Sequence, residues 1–364
     1  MKTTLSIVIP FYNSSNRCTR LLNTLRGISF SWVEIVLVDD GSTDDTIKYL
    51  EAFQTDLTIP NKIIKQTNRG PGGARNSGLI GSTGNYVWFV DSDDDINLNV
   101  LTSIKELIEF DYDLIDFRYK GRKVHKSIDL AEGEYTVDKS VRLQLVENCG
   151  SFWTKVFQKD YLINSKLFQP EYCLTEDAYL LYYLYPFYTK KFFVSHEISY
   201  YYNIDFESMT RTEDISLNYY DRLFVPVEGL KVALKYATKQ ESRILIKKTI
   251  KFCFRSAIRE HLLSGRRAMD IYKTIRIMQR YRSLEKRCRN FRSLFFEINK
   301  NMRFLSNIKN IIRNILAVVL YNISYIFPKQ KNYFEEMHNK AWKHEIIYPA
   351  VELLSEKDYQ KREL

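Results

Sequence analysis

No two cysteines in the chain stand at the spacing of a redox or zinc motif. Cys18, Cys149, Cys173, Cys253 and Cys288 are scattered, include no C-x-x-C and are odd in number, which argues against a disulfide framework and against a zinc site. The expected compartment is therefore a reducing cytosol. Long apolar runs are also missing: the uncharged stretch 314–328, which no other exceeds, is shorter than the about 20 residues that cross a bilayer. The opening MKTTLSIVIPFYN lacks a signal peptide's longer apolar core and small-residue cleavage site, and reads as a buried strand. The glycines at 70, 72, 73 and 78 do not follow G-x-G-x-x-G, and no Walker lysine pattern occurs, which disfavours hydride transfer and P-loop chemistry.

What is present is a globular composition with uneven charge. The chain has 364 residues, 45% of them hydrophobic, enough for about two domains. Residues 1–214 carry 23 Lys and Arg against 30 Asp and Glu, a balance of −7, which leaves 31 against 14, or +17, for residues 215–364. A break of this size predicts a boundary near 214 and an anionic partner for the basic part. In the first hundred residues, β-branched runs (LSIVIPFY, VEIVLVDD, NKIIKQT, YVWFVDSD) alternate with helix-length segments, the pattern of a doubly wound parallel sheet. From about 215 the pattern turns helical. Residues 305–326 form one amphipathic face, suited to a helix lying on a surface.

In sheets of this kind ligands sit beyond the carboxyl ends of the strands. Two such ends carry acids, LVDDGSTDD at 37–45 and FVDSDDD at 89–95, and the glycine-rich NRGPGGARNSG at 68–78 lies between them. The second cluster needs a positive partner, because carboxylates this close repel one another. A calcium loop would use Asp91, Asp93 and Asp95, but Ile96 stands where glycine is needed and Thr102 where a bidentate glutamate belongs. A solvated helix cap accounts for Asp94 or Asp95 alone. A divalent cation shared between carboxylate and diphosphate oxygens accounts for the whole cluster.

SIVIPFYN at 6–13, VDDGSTDDT at 38–46, NRGPGGARNSGL at 68–79, FVDSDD at 89–94 and TEDAYL at 175–180 occur in one order. In that order they resemble family 2 glycosyltransferases of the GT-A fold, a Rossmann-like mixed α/β sheet flanked by helices. The resemblance covers about residues 1–214. It implies a catalytic domain with a donor half at about 1–98 and an acceptor half at about 99–214, followed by a basic, mainly helical region at 215–364. It also implies an inverting, metal-dependent transfer from a nucleotide sugar, a UDP-sugar for choice, to a glycan or lipid-linked glycan in bacterial surface polysaccharide synthesis, with Mn2+ or Mg2+ as cofactor.

Carried onto this chain, the family's roles give Pro10 and Tyr12 to the base pocket and Asp39 or Asp40 to the uracil edge or ribose. Arg75 would meet the base or the diphosphate. The D-x-D motif is represented by Asp91, Ser92 and Asp93, with Asp93 on the metal and Asp91 on ribose or metal-bound water. Asp177 matches the catalytic base, supported by Glu176. Trp153 is a candidate sugar platform and Lys155 a polar contact, both on the acceptor side. Ser208, Thr210 and Arg211 fall in a stretch like the loop that closes over the donor, where Asn203 replaces a common arginine. The basic region suits an anionic membrane face or an anionic acceptor, and carries no nucleic-acid-binding motif. A catalytically silent sugar-nucleotide or glycan-binding module is the rival reading of the same residues, and a basic nucleic-acid-binding protein the weaker one.

Overall fold

The computed structural model describes residues 4–148, 150–165 and 168–203, and, further on, residues 221, 225–226, 228–246 and 248–249. Four strands form the parallel part of the sheet: β1 (Leu5–Phe11), β2 (Val33–Asp39), β3 (Asn61–Lys65) and β4 (Tyr86–Phe89), in the order β3-β2-β1-β4. Their crossovers carry α1 (Thr19–Leu25), α2 (Thr46–Asp56) and α3 (Gly70–Gly81). Successive residues of a strand face opposite sides, so LSIVIPF, apolar but for Ser6, must feed two cores. Leu5, Ile7, Ile9 and Phe11 join Leu21, Leu22, Leu25, Leu50 and Phe53 from α1 and α2. Val8, with Val36 and Val38 of β2, packs on Ala74 and Leu79 of α3. The α3 face approaches closely because Gly78 has no side chain; a Cβ there would run into the Val8 side chain.

Past β4 the sheet is no longer parallel. β5 (Asp95–Ile96), β6 (Leu114–Lys120), β7 (Val124–His125), β8 (Gly133–Thr136), β9 (Lys155–Gln158) and β10 (Lys191–Tyr201) complete it. β9 inserts antiparallel between β4 and β6, β10 runs parallel to β6, and β5 and β7 pair antiparallel with β10 and β6. The result is the mixed sheet of the GT-A fold, with the parallel expectation holding for its first four strands.

Three further helices flank this half: α4 (Val100–Leu107), α5 (Lys139–Glu147) and α6 (Lys159–Asn164). A fourth, α7 (Glu176–Tyr183), continues into a π-helical turn at Leu184–Tyr188. The expected boundary at 214 does not coincide with an end of packing. Val225, Leu230, Ala233, Tyr236, Leu245 and Ile246 are buried in the cluster that holds Tyr179, Leu180 and Tyr185. The buried Glu241 pairs with Arg142 of α5 at 2.7 Å, and Asp221 accepts from the Leu174 N–H at 2.6 Å. No described helix is long and apolar enough to cross a membrane. The amphipathic segment 305–326 lies outside the described residues.

Candidate active site

The crevice opens where β1 and β4 part. Their pairing ends at Val8 and Phe89, with one more bond from the Val90 N–H to the Val8 carbonyl at 3.0 Å. Pro10 has no N–H to extend that ladder, so beyond it the two strands separate. Pro10 and Tyr12 both keep partial exposure at this mouth. Asp39 ends β2 beside Phe11, and its carboxylate accepts from the Ser42 N–H at 3.4 Å. Asp40 is directed elsewhere: it is 2% exposed and accepts from Gln66 Nε2 at 2.6 Å and from the Arg69 N–H at 2.9 Å. Burial pushes its pKa up to about 6 in spite of those donors. Asp40 therefore fastens the loop that leads into α3.

After β4 the acids divide into distinct environments. Asp94 is buried and accepts from the Tyr200 hydroxyl at 2.7 Å and the Asn203 N–H at 2.6 Å. The Asp91 N–H donates to the same Tyr200 oxygen at 3.1 Å, while Asn203 Nδ2 and Arg20 donate to the Asp93 carbonyl at 3.2 and 3.1 Å. Ser92 shares a hydroxyl contact of 3.2 Å with Ser14. Asp94 thus serves as an anchor for the loop, and Asn203, the departure from the family pattern, is one of its ties. Asp91 and Asp93 stay partly exposed. Burial, then the charge of Asp91, pushes the Asp93 carboxyl above its usual range.

That electrostatic situation suits a hard divalent cation, which would relieve the repulsion at Asp93. Among the described residues no group of three or more His, Cys, Asp or Glu forms a protein-built metal cage. One or two carboxylates, with substrate phosphates and water completing the shell, is a usual way to hold a small hard cation. The donor set present fits that arrangement.

Arg75 joins this loop to the acids on α7. It projects from α3, is 7% exposed, and donates to Asp91 Oδ1 at 2.6 Å, to Gln169 Oε1 at 3.0 Å and to Glu176 Oε1. Its guanidinium is engaged by carboxylates from two segments, so it organises the site's acids. Glu176 is 5% exposed. Asp177, next to it, has its pKa raised to about 6, by burial first and then by the Glu176 charge, against the pull of Arg75. α7 begins abruptly, with Thr175 at φ 64° and its hydroxyl buried without a partner among the described residues, which presents both acids in the first turn.

On the acceptor side, Trp153 is partly buried in an aromatic row. Its ring lies 4.3 Å from Tyr200 and 5.7 Å from Tyr202, both stacked, and 4.8 Å from Tyr119, edge-on. Lys155 requires a correction. It is 0% exposed, with Nζ 3.1 Å from Asp116 Oδ1, 2.6 Å from the Ser151 carbonyl and 3.1 Å from Ser127 Oγ, so it neutralises a buried carboxylate and reaches no acceptor. Ser208, Thr210 and Arg211 lie outside the described residues. Gln169 and Tyr200 are site residues to which motif reading gives no role, and Asn203 is one it marks only as the place where an arginine is common. Tyr200 and Asn203 stand in the tyrosine-rich SYYYN, at the start of the stretch that resembles the donor-closing loop.

Acids thus gather at the switch point of a parallel sheet and face a second acidic pair across a buried arginine. Residues 6–160 match the model of Glycosyl transferase family 2, and the chain carries a domain of that family. Among curated relatives, the poly(ribitol-phosphate) β-N-acetylglucosaminyltransferase TarS of Staphylococcus aureus is 37% identical over 119 residues, 32% of this chain and 21% of that protein. Glycosyltransferase GlyA of Streptococcus pneumoniae is 28% identical over 197 residues, 49% of this chain and 28% of its own length. The minor teichoic acid biosynthesis protein GgaA of Bacillus subtilis is 36% identical over 104 residues, 27% of this chain and 23% of its own. The matched stretches thus span less than a third of each relative. The crystal structure of S. aureus TarS 1-349 in complex with UDP shares the fold, with a TM-score of 0.57 at 24% identity, over 76% of this chain and 79% of that one. So does mannosyltransferase PcManGT of Pyrobaculum calidifontis in complex with GDP-Man and Mn2+, with a TM-score of 0.50 at 12% identity, over 91% and 89%.

Proposed function

We propose that the chain is an inverting glycosyltransferase that moves a sugar from a nucleotide donor, a UDP-sugar by the relatives it has, to a hydroxyl of a glycan or lipid-linked glycan. The observation that carries this reading is the Arg75 bridge, which holds Asp91 of the donor loop and Glu176, next to Asp177, in one charged frame. Inversion needs a base on the face of the anomeric carbon opposite the leaving diphosphate. Asp177 takes that part: it accepts the proton of the acceptor hydroxyl while the oxygen bonds to the anomeric carbon, and the bond to the diphosphate breaks with its electron pair. A pKa of about 6 leaves it ionised, and still basic, at neutral pH.

Pro10, Tyr12 and Asp39 line the mouth of the parallel half, where the nucleoside would sit, with Asp39 rather than the inward Asp40 accepting from its base or ribose. Asp93, with Asp91, would hold Mn2+ or Mg2+, which when bound neutralises charge on the departing diphosphate. Ser208, Thr210 and Arg211 are proposed to close over that diphosphate. The surplus of 31 basic over 14 acidic residues in 215–364 would draw the enzyme to an anionic surface, in keeping with synthesis of a bacterial wall polymer at the inner membrane face.

The test is release of nucleoside diphosphate from a panel of UDP-, GDP- and CDP-sugars, with manganese and with chelator. One donor should be hydrolysed slowly in manganese alone, and Asp93→Ala should abolish both that turnover and the metal-dependent part of donor binding. Donor affinity that is equal with and without metal in the native protein would sink the metal assignment. No nucleotide binding at all would leave a glycan-binding module.

A further inference from the structure

The hairpin formed by β6 and β7 stands out from the acidic domain around it. Its segment RYKGRKVHK, 118–126, carries Arg118, Lys120, Arg122, Lys123 and Lys126 with no acid, inside a region, 1–214, whose balance is −7. Lys120, Arg122, Lys123, His125 and Lys126 are all exposed. Lys126 pairs with Asp129 at 2.8 Å. Lys120, Arg122 and Lys123 make no side-chain hydrogen bond or ion pair among the described residues. Unpaired cations crowded on one turn repel one another, and an anionic partner would relieve that repulsion.

The hairpin is joined to the candidate site by backbone and by rings. β5, which continues the D-x-D loop, pairs with β10, and β10 pairs with β6, so two strand spacings, about 10 Å, separate that loop from the basic strand. The Tyr202 N–H donates to the Lys120 carbonyl at 2.9 Å. Side chains form a second path: Tyr200 bonds Asp94, its ring stacks on Trp153, Trp153 meets Tyr119 edge-on, and Tyr119 stacks on its cross-strand partner His125 at 4.9 Å. Aromatic faces suit sugar rings, and the free cations at the end of the row suit phosphate groups repeated along a chain.

We propose that this hairpin, with the partly exposed rings of Tyr119, Trp153 and Tyr202 beside it, is the docking surface for an acceptor that is itself a polyanion, a glycan or polyol chain with phosphodiester links, whose terminal hydroxyl is thereby led to Asp177. The inference rests on the transferase reading above and adds the acceptor's class and the surface that holds it. Charge attraction of this kind is screened by salt, so docking weakens as ionic strength rises.

The experiment uses the full chain and a fluorescently labelled poly(ribitol phosphate), with a dextran of similar length as the uncharged control. Binding is followed by anisotropy at several salt concentrations for the native protein and for the double variant Arg122→Glu, Lys123→Glu. The native protein should bind the phosphate polymer far more tightly than dextran, with affinity falling as salt is raised. The variant should lose roughly tenfold or more at low salt and show a shallower salt dependence. Its acceptor-independent donor hydrolysis should be unchanged, which separates this outcome from failure of the transferase reading. Equal polymer affinity in the two proteins would overturn the proposal and leave these cations as guards of an exposed strand edge. Equally tight, variant-sensitive binding of single-stranded DNA or of phosphatidylglycerol vesicles would overturn the acceptor assignment in favour of those partners.

Discussion

Asp177 and Asp40 show how one residue type acquires different roles from its surroundings. Both carboxyls are raised from an ordinary 3.8 to about 6, with burial the first cause in each. A carboxyl raised on folding binds its proton more tightly in the folded chain than in the unfolded one. Stability therefore falls as pH climbs from about 4 to about 6, and stays lowered above that. For activity the sign is reversed, because a base must be ionised. We expect the transfer rate to rise through pH about 6 and then level off. Asp177→Asn should cost about two to four orders of magnitude in turnover and leave donor affinity intact. A variant with normal turnover, or a native rate flat between pH 5 and 7, would remove Asp177 from the role of base.

At the scale of elements, α3 is the part on which the site most depends, since it carries Arg75 and rests directly on β1. Gly78 permits that contact, and a methyl group there would meet the Val8 side chain. Gly78→Ala should lower stability by about 1–3 kcal/mol through overpacking, seen as an earlier denaturation midpoint with an unchanged slope. It should also reduce donor hydrolysis, because lifting α3 moves Arg75 away from Asp91 and Glu176. An unchanged midpoint would mean that the helix has room the structure does not show. The helix was legible in the sequence from its glycines and its place between strands. The use of one particular glycine for contact with Val8 was not, because that depends on how α3 lies across the sheet.

For the whole molecule, the break in charge at 214 and the limit of the packed core are separate features. Leu230, Ala233, Tyr236, Leu245 and Ile246 complete the cluster around α7, and Arg142 with Glu241 forms a bond across it. A chain ended at residue 214 would leave that cluster open to water and take Glu241 away from Arg142. We expect it to bind 8-anilinonaphthalene-1-sulfonate and to melt without a sharp transition, whereas a chain ended at residue 250 should melt cooperatively. Equal melting of the two would return the domain boundary to 214. Arg142→Ala in the full chain should cost about 1–3 kcal/mol, because it removes one donor from the buried Glu241, which keeps the Thr238 N–H.

Sequence alone determined where the parallel strands lie, which carboxylates stand at their ends and the order in which the motifs follow. These are local properties: β-branched runs, glycine-rich turns and acids at fixed spacings need no distant partner to be recognised. Tertiary structure decided which of those groups are free. Lys155 reads as a polar surface residue until Asp116 of β6 is brought beside it, and Asp40 looks equivalent to Asp39 until Gln66 and Arg69 close on it. Arg75 has no partner in its own motif until Gln169 and Glu176, 94 and 101 residues away, converge on its guanidinium. The physical reason is common to all three cases: the charge of a side chain is written in its type, but whether that charge faces water, substrate or a partner is set by long-range packing.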